Sequence, residues 1–166
     1  MEMTQQEYMK EWKRRNPDYF HNYYLAHKEH MLETARLWRE ANKGDFIYFY
    51  VNTDGDNLYI GSTGGRCFIE RASFHLCSHS NLKMSAEDLV NDYNLECILY
   101  KDLTEYNLSR NDLYYLEKFY IEKEGAILNK KPINIEGNLT RSKEELINIA
   151  EKTEWKEFNK LDRYLN

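Results

Sequence analysis

Apolar residues fall into two kinds of pattern along the chain, one with a helical period and one with a strand period. Phe20, Tyr24, His27, Met31, Ala35 and Trp38 recur at steps of three and four, which draws one stripe down a helix of about seven turns. Asn16 suits its N-cap and Pro17 its first helical position, where a missing N–H costs nothing. Asn42-Lys43-Gly44 closes it, with Gly44 as the C-terminal stop. A shorter helix over residues 4–15 precedes it.

The strand signal follows at once. Phe46-Ile-Tyr-Phe-Tyr-Val51 is a run of aromatic and β-branched residues, Asn52-Thr-Asp-Gly-Asp-Asn57 is turn chemistry, and Leu58-Tyr-Ile60 resumes the strand. Together they predict a hairpin. Residues 66–77 predict a helix with Ile69, Ala72 and Leu76 on one side. Ser85 to Asp88 reads as a capping box opening another helix. Leu95 to Tyr100 reads as a third strand, and Ser109 opens a helix that carries Leu113, Leu116, Tyr120 and Ile121. Ser142 to Glu145 is a further box, opening a tail of one or two helices rich in Lys and Glu. The order αα–ββ–α–α–β–α–α implies an α+β fold, with three mainly antiparallel strands flanked by helices. It divides into an N-terminal helical arm over 1–43, a central domain over 44–138 and a C-terminal helical tail over 139–166.

Composition agrees with that outline. The 166 residues are 42% apolar and 14% aromatic, a globular balance, and 7 glycines and 2 prolines leave no low-complexity linker. Charge is less obliging. The arm carries 8 Lys/Arg against 7 Asp/Glu (+1) and residues 44–166 carry 15 against 21 (−6), which sums to the net −5. A nucleic-acid partner would therefore have to be met by a local basic surface and not by a global field. Cys67, Cys77 and Cys97 are odd in number and lack Cys-x-x-Cys spacing, so they read as reduced thiols. His75 and His79 near Cys77 do not complete a zinc set. No apolar run resembles a signal or a membrane span, so a cytoplasmic protein with no membrane partner is expected.

Three features carry chemistry, and each has a plain structural alternative. Glu117 falls on the inward face of the 109–123 helix, between Leu113 and Ile121. It reads as a ligand for a hard divalent cation, or as an edge carboxylate whose stem packs. Arg71 and His75 stand four apart on the side opposite Ile69, Ala72 and Leu76, where they suit a phosphate or are simply surface. Tyr48 and Tyr59 share a sheet face if the turn sets the register accordingly, and strand tyrosines are ordinarily packing residues.

In sequence order these residues resemble the GIY-YIG nuclease superfamily over residues 44–138. Ile47-Tyr48 is followed eleven residues on by Tyr59-Ile60-Gly61-Ser62, then by Arg71 with His75, Glu117 and Asn129. The second half-motif is intact, whereas Phe46 stands where the family has glycine. The resemblance implies that Tyr48 and Tyr59 position or deprotonate the attacking water, Arg71 stabilises the scissile phosphate and His75 assists the tyrosine. It implies further that Glu117 binds a single Mg²⁺ or Mn²⁺, and that Asn129 hydrogen-bonds near the phosphate or metal, with Asn134 a poorer candidate. His79, followed by Ser80-Asn81-Leu82-Lys83, resembles a further histidine of the homing-endonuclease branch, and His79 and Lys83 are expected to contact substrate.

The function so implied is metal-dependent hydrolysis of phosphodiester bonds in DNA, double-stranded in the first instance, by an enzyme of phage, mobile-element or restriction type. One site per chain nicks one strand, so double-strand cleavage calls for a homodimer or a second binding event. In the arm, Trp12-Lys13-Arg14-Arg15-Asn16 is echoed by Trp38-Arg39-Glu40-Ala41-Asn42. Lys10, Lys13, Arg14 and Arg15 there either follow a phosphate backbone or are solvated charges, while Trp38 is expected to pack on the domain. A second reading, a binding or regulatory protein on an inactive nuclease scaffold, takes its support from the acidic balance and Phe46. A third, a purely structural domain, requires coincidence at six positions.

Overall fold

The computed structural model describes residues 4–158, and these divide into two compact units, 4–41 and 42–158. The first is helical. Thr4 caps α1 (Gln5–Arg15) in a reciprocal box with Glu7. Asn16 is not the N-cap of the next helix, as the sequence suggests, but the C-terminal cap of α1, its side-chain amide donating to Trp12 O. The Pro17-Asp18 turn then leads into α2 (Tyr19–Ala41). The Trp12 ring meets Tyr19 and Phe20 edge-on, but no residue of either helix is buried, and Trp38 of the long stripe is 42% exposed.

The second unit is an α+β fold around an open antiparallel sheet. Its strands are β1 (Lys43–Asn52), β2 (Asn57–Cys67), β3 (Leu95–Asp102) and β4 (Lys156–Glu157), in the order β2-β1-β3-β4. The sequence reading counts three strands. The fourth is two residues of hydrophilic sequence, with no apolar alternation to betray it, and it exists because β3 offers an open edge.

β1 is central and covered on both faces, which is why it reads as an unbroken apolar run and not as an alternating one. Phe46, Tyr48 and Tyr50 face one core, against Phe68, Ala72 and Leu89. Ile47 and Phe49 face the other, against Leu113, Leu116 and Leu146. The first core is roofed by α3 (Phe68–His75) and α4 (Ala86–Tyr93), the second by α5 (Arg110–Glu124) and α6 (Lys143–Lys152). The hairpin turn is held by Asn52, whose Oδ1 accepts from the amides of Asp54 and Asp56, and Gly55 takes the left-handed conformation there. Ser85 and Ser109 form the capping boxes of α4 and α5, whereas Ser142 caps α6 without the reciprocal bond.

Two boundaries differ from the sequence reading for one reason. β1 and β2 pair beyond their apolar residues, through Gly44↔Arg66 and Lys43↔Cys67, with a register shift between Gly44 and Phe46. Gly44 is thus strand and not helix stop, and the helix read over 66–77 shortens to 68–75. Backbone pairing is indifferent to side-chain polarity, so the hydropathy pattern does not mark where it ends. The segment after 138 is built into the second core through Leu146, Ile149 and Ala150. Buried Lys101 fastens it, its ammonium donating to Ala150 O at 2.5 Å and Thr153 O at 2.8 Å. A second tail helix would fall outside the described residues. No helix among the described residues is long and apolar enough to cross a membrane.

Candidate active site

The register of the hairpin pairs Tyr50 with Tyr59 and Tyr48 with Gly61, so both motif tyrosines lie on the α3 face of the sheet. The pairing also explains the motif glycine. A Cβ on Gly61 would stand 2.6 Å from both Cζ and Oη of Tyr48, because the phenol lies across the position where a side chain would be.

The two tyrosines are not equivalent. Tyr48 is wholly buried and its hydroxyl meets His75 Nε2 at 3.1 Å, while Tyr59 lines an open cleft. Sequence periodicity puts His75 on the surface, opposite the packed side of its helix. The structure corrects this: Phe68, Ala72, His75 and Leu76 form the packed face of α3, and His75 is fully enclosed. The helix begins at Phe68, and steps of four and then three from there lead inward to His75. Burial, helped by the nearby Arg71 charge, pushes the imidazole down to about 3, so it is neutral near pH 7. Its Nδ1 has no partner, which leaves Nε2 as the working atom, seating Tyr48.

Arg71 sits at the rim of α3, half-buried, its guanidinium 5.8 Å from the Phe74 ring centroid. Across the cleft, α5 delivers Glu117. The half-buried carboxylate accepts a 2.5 Å hydrogen bond from Ser62 Oγ, and Ser62 follows the Tyr59-Ile60-Gly61 motif on the edge strand β2. Alternation turns Ser62 to the α5 face while Tyr59 looks to the α3 face, so the edge of β2 is where the two layers meet. Burial raises the Glu117 pKa, against the pull of Ser62 and Arg71. Burial also raises both phenols: Tyr48 further burdened by Tyr59, Tyr59 by the Glu117 charge. Hydrogen bonding from Asn81 and the charge of Arg71 oppose the rise at Tyr59.

Asn129 borders the same cleft, but its carboxamide is engaged elsewhere. Oδ1 accepts from Ile60 N at 2.9 Å and Nδ2 donates to Ile60 O at 2.7 Å. Ile127 N donates to Asn57 O and Leu128 N to Leu58 O, so the segment lies along the outer edge of β2 and Asn129 extends that contact with its side chain. The carboxamide thus clamps the backbone of the motif strand, using one lone pair and one N–H of a side chain that also lines the cleft.

The cleft measures about 1000 Å³. Arg71, Lys83, Arg110, Lys130 and Lys131 line it, against the carboxylates of Glu117 and Glu136, five positive groups to two. This is the local basic surface that an overall charge of −5 hides. Of the sequence candidates, Tyr59, Arg71, Lys83, Glu117, Asn129 and Asn134 reach the cleft, Tyr48 and His75 stand behind it, and His79 is exposed outside its lining. Lys13, Arg14 and Arg15 belong to the helical unit, where Glu11 pairs both arginines and Lys13 stands over Phe20. Sequence reasoning passed over Ser62, Arg110, Lys130 and Lys131. For Ser62 the signal was available, since it shares the strand face of Ile60 and must look toward α5.

No group of three or more His, Cys, Asp or Glu able to hold a metal occurs among the described residues. Of the residues the sequence singles out, Glu117 is the carboxylate that would hold a divalent ion here, completed by water and substrate oxygens, an arrangement that suits Mg²⁺. The carboxylate fits: it is an oxygen donor at an open cleft, with one oxygen oriented by Ser62. No known family, no curated protein and no solved structure matches the chain.

Proposed function

We infer that residues 44–138 form a GIY-YIG-type nuclease domain, and that the protein is a metal-dependent DNA endonuclease hydrolysing phosphodiester bonds in this cleft. The observation that carries the reading is the convergence of Tyr59 from β2, Arg71 from α3 and Glu117 from α5. Three separate elements bring them to one cation-rich cleft, with no carboxylate pairing the Arg71 guanidinium among the described residues. An unpaired guanidinium beside a solvent-accessible carboxylate is a poor device for stability and a good one for a phosphate.

Arg71 binds a non-bridging phosphate oxygen through its planar donors and stabilises the charge that builds there during displacement. Tyr59, the phenol that lines the cleft, orients the attacking water by hydrogen bonding, remaining protonated near pH 7 because burial and Glu117 oppose its ionisation. Tyr48 and His75 act one layer back: Nε2 fixes the Tyr48 phenol, which fills the space above Gly61 beside Tyr59. Glu117, oriented by Ser62, would hold one Mg²⁺ or Mn²⁺, which when bound supplies positive charge to the phosphate and offsets the effect of Glu117 on the neighbouring phenol.

Phe46 does not disturb this arrangement. It points into the core against Phe68 and Tyr100 and belongs to the wall, not the cleft.

The test is supercoiled plasmid with Mg²⁺ or Mn²⁺, beside Glu117→Ala, Arg71→Ala and EDTA controls. Nicking or linearisation that requires the metal and both residues is the expected result. Intact plasmid, with branched and single-stranded substrates also uncut, would leave a binding protein on a nuclease-like scaffold.

A further inference from the structure

Seven of the arginines sort by location. Arg14, Arg15, Arg36 and Arg141, away from the cleft, each hold a carboxylate. Arg66, Arg71 and Arg110 have no such partner, and all three line the cleft or the hollow of about 410 Å³ that adjoins it. The two cavities share Ser62, Arg71, Arg110 and Tyr114, so together they form one groove with the Arg71 centre at the junction.

Arg110 is not a loose surface cation. It is the first residue of α5, its Nε donates to Tyr114 Oη at 2.8 Å, and its guanidinium lies 5.1 Å from the Tyr114 ring centroid. Tyr114, one turn on, thus fixes the plane of the fork and leaves the two terminal nitrogens as donors. A fork held in this way matches the oxygens of a phosphodiester, and its side-chain entropy is already spent before binding. The amino-terminal end of a fifteen-residue helix adds positive potential at the same place.

We propose that Arg110 is a second phosphate clamp, positioned by Tyr114, which grips the nucleic-acid backbone at a phosphate neighbouring the one held by Arg71. The clamp rests on the nuclease reading. Its effect is to define how the strand runs, from the larger cleft across the reacting centre into the smaller hollow.

The experiment measures anisotropy of a fluorescein-labelled duplex oligonucleotide in EDTA, over a sodium chloride series, so that binding is read without cleavage. Arg110→Ala is expected to weaken binding about tenfold at low salt and to make the plot of log affinity against log salt shallower by about one. Arg110→Lys keeps the slope, since the charge remains, but binds more weakly for want of the fork. Tyr114→Phe does the same by releasing Nε. Lys118→Ala, on the same helix but paired with Glu122 outside the groove, leaves slope and affinity unchanged. Wild-type slope and affinity in Arg110→Ala, with binding lost in Arg71→Ala, would overturn the clamp and spare the nuclease reading. Failure of the wild-type protein to bind the oligonucleotide, duplex or single-stranded, would remove both.

Discussion

Gly61→Ala is the sharpest test of how the site is packed, because it needs no assumption about activity. The added Cβ would meet Tyr48 Cζ and Oη at 2.6 Å and Cε2 at 2.7 Å, well inside contact distance. The ring has nowhere to retreat: Phe68, His75, Tyr50 and Tyr59 surround it, with centroids between 5.7 and 6.3 Å away. Overpacking of this kind costs ~1–3 kcal/mol. Any movement of the ring also strains the hydrogen bond to His75, worth ~1 kcal/mol more. The variant should lose about 2–4 kcal/mol and melt about 6–12 °C lower for a chain of this size. Urea denaturation at constant m-value measures the loss. In a Tyr48→Phe background the penalty should shrink by at least ~0.5 kcal/mol, because one of the three short contacts is gone while two remain. A stability within ~0.5 kcal/mol of wild type would refute the account, since the phenol could not then lie across Gly61.

Three further perturbations separate the roles assigned to the other site residues. For His75, the unfolded imidazole titrates near 6.5 and the buried one near about 3, so between those values the unfolded chain holds the extra proton. Stability should then fall as pH drops below about 6.5, by up to ~1.4 kcal/mol per pH unit, and His75→Phe should lack that share of the decline; parallel stability curves for the two proteins would contradict it. For Glu117, burial raises the carboxyl pKa, so its ionised form costs stability once pH exceeds the ordinary carboxylate range. Glu117→Gln should be at least as stable as wild type near pH 7, with the difference fading in acid, and should lack the rise in melting temperature that Mg²⁺ or Mn²⁺ is expected to give the parent; a clear destabilisation near pH 7 would contradict the first, and an undiminished metal shift the second. Asn129→Ala leaves both backbone groups of buried Ile60 without their side-chain partner and should cost about 1–3 kcal/mol, with faster hydrogen exchange at the Ile60 amide; unchanged exchange would show that the clamp is not formed in solution.

The sequence by itself determined most of the elements and the order in which the candidate site residues occur. The apolar run at 46–51, the Asn-Thr-Asp-Gly turn and the serine capping boxes are local codes, each satisfied by neighbours within a few residues, so they survive without tertiary context. Strand alternation made a shared facing of Tyr48 and Tyr59 one of the two possibilities, and the register of the folded hairpin chose it.

Only the tertiary structure decided the rest. β4 and the extended ends of β1 and β2 are set by backbone groups seeking partners, which leaves no trace in hydropathy. Helical periodicity shows that a residue has a face but not what covers it, and His75 turned inward because a sheet carrying Tyr48 lies there. Asn129 acts on a strand sixty-nine residues away, and Glu117 is oriented by a serine fifty-five residues away, separations at which no local pattern can speak. Charge tells the same lesson most plainly. A sum over the chain gives −5, yet folding gathers Arg71, Lys83, Arg110, Lys130 and Lys131 around one cleft, because potential depends on where charges stand and not on how many there are.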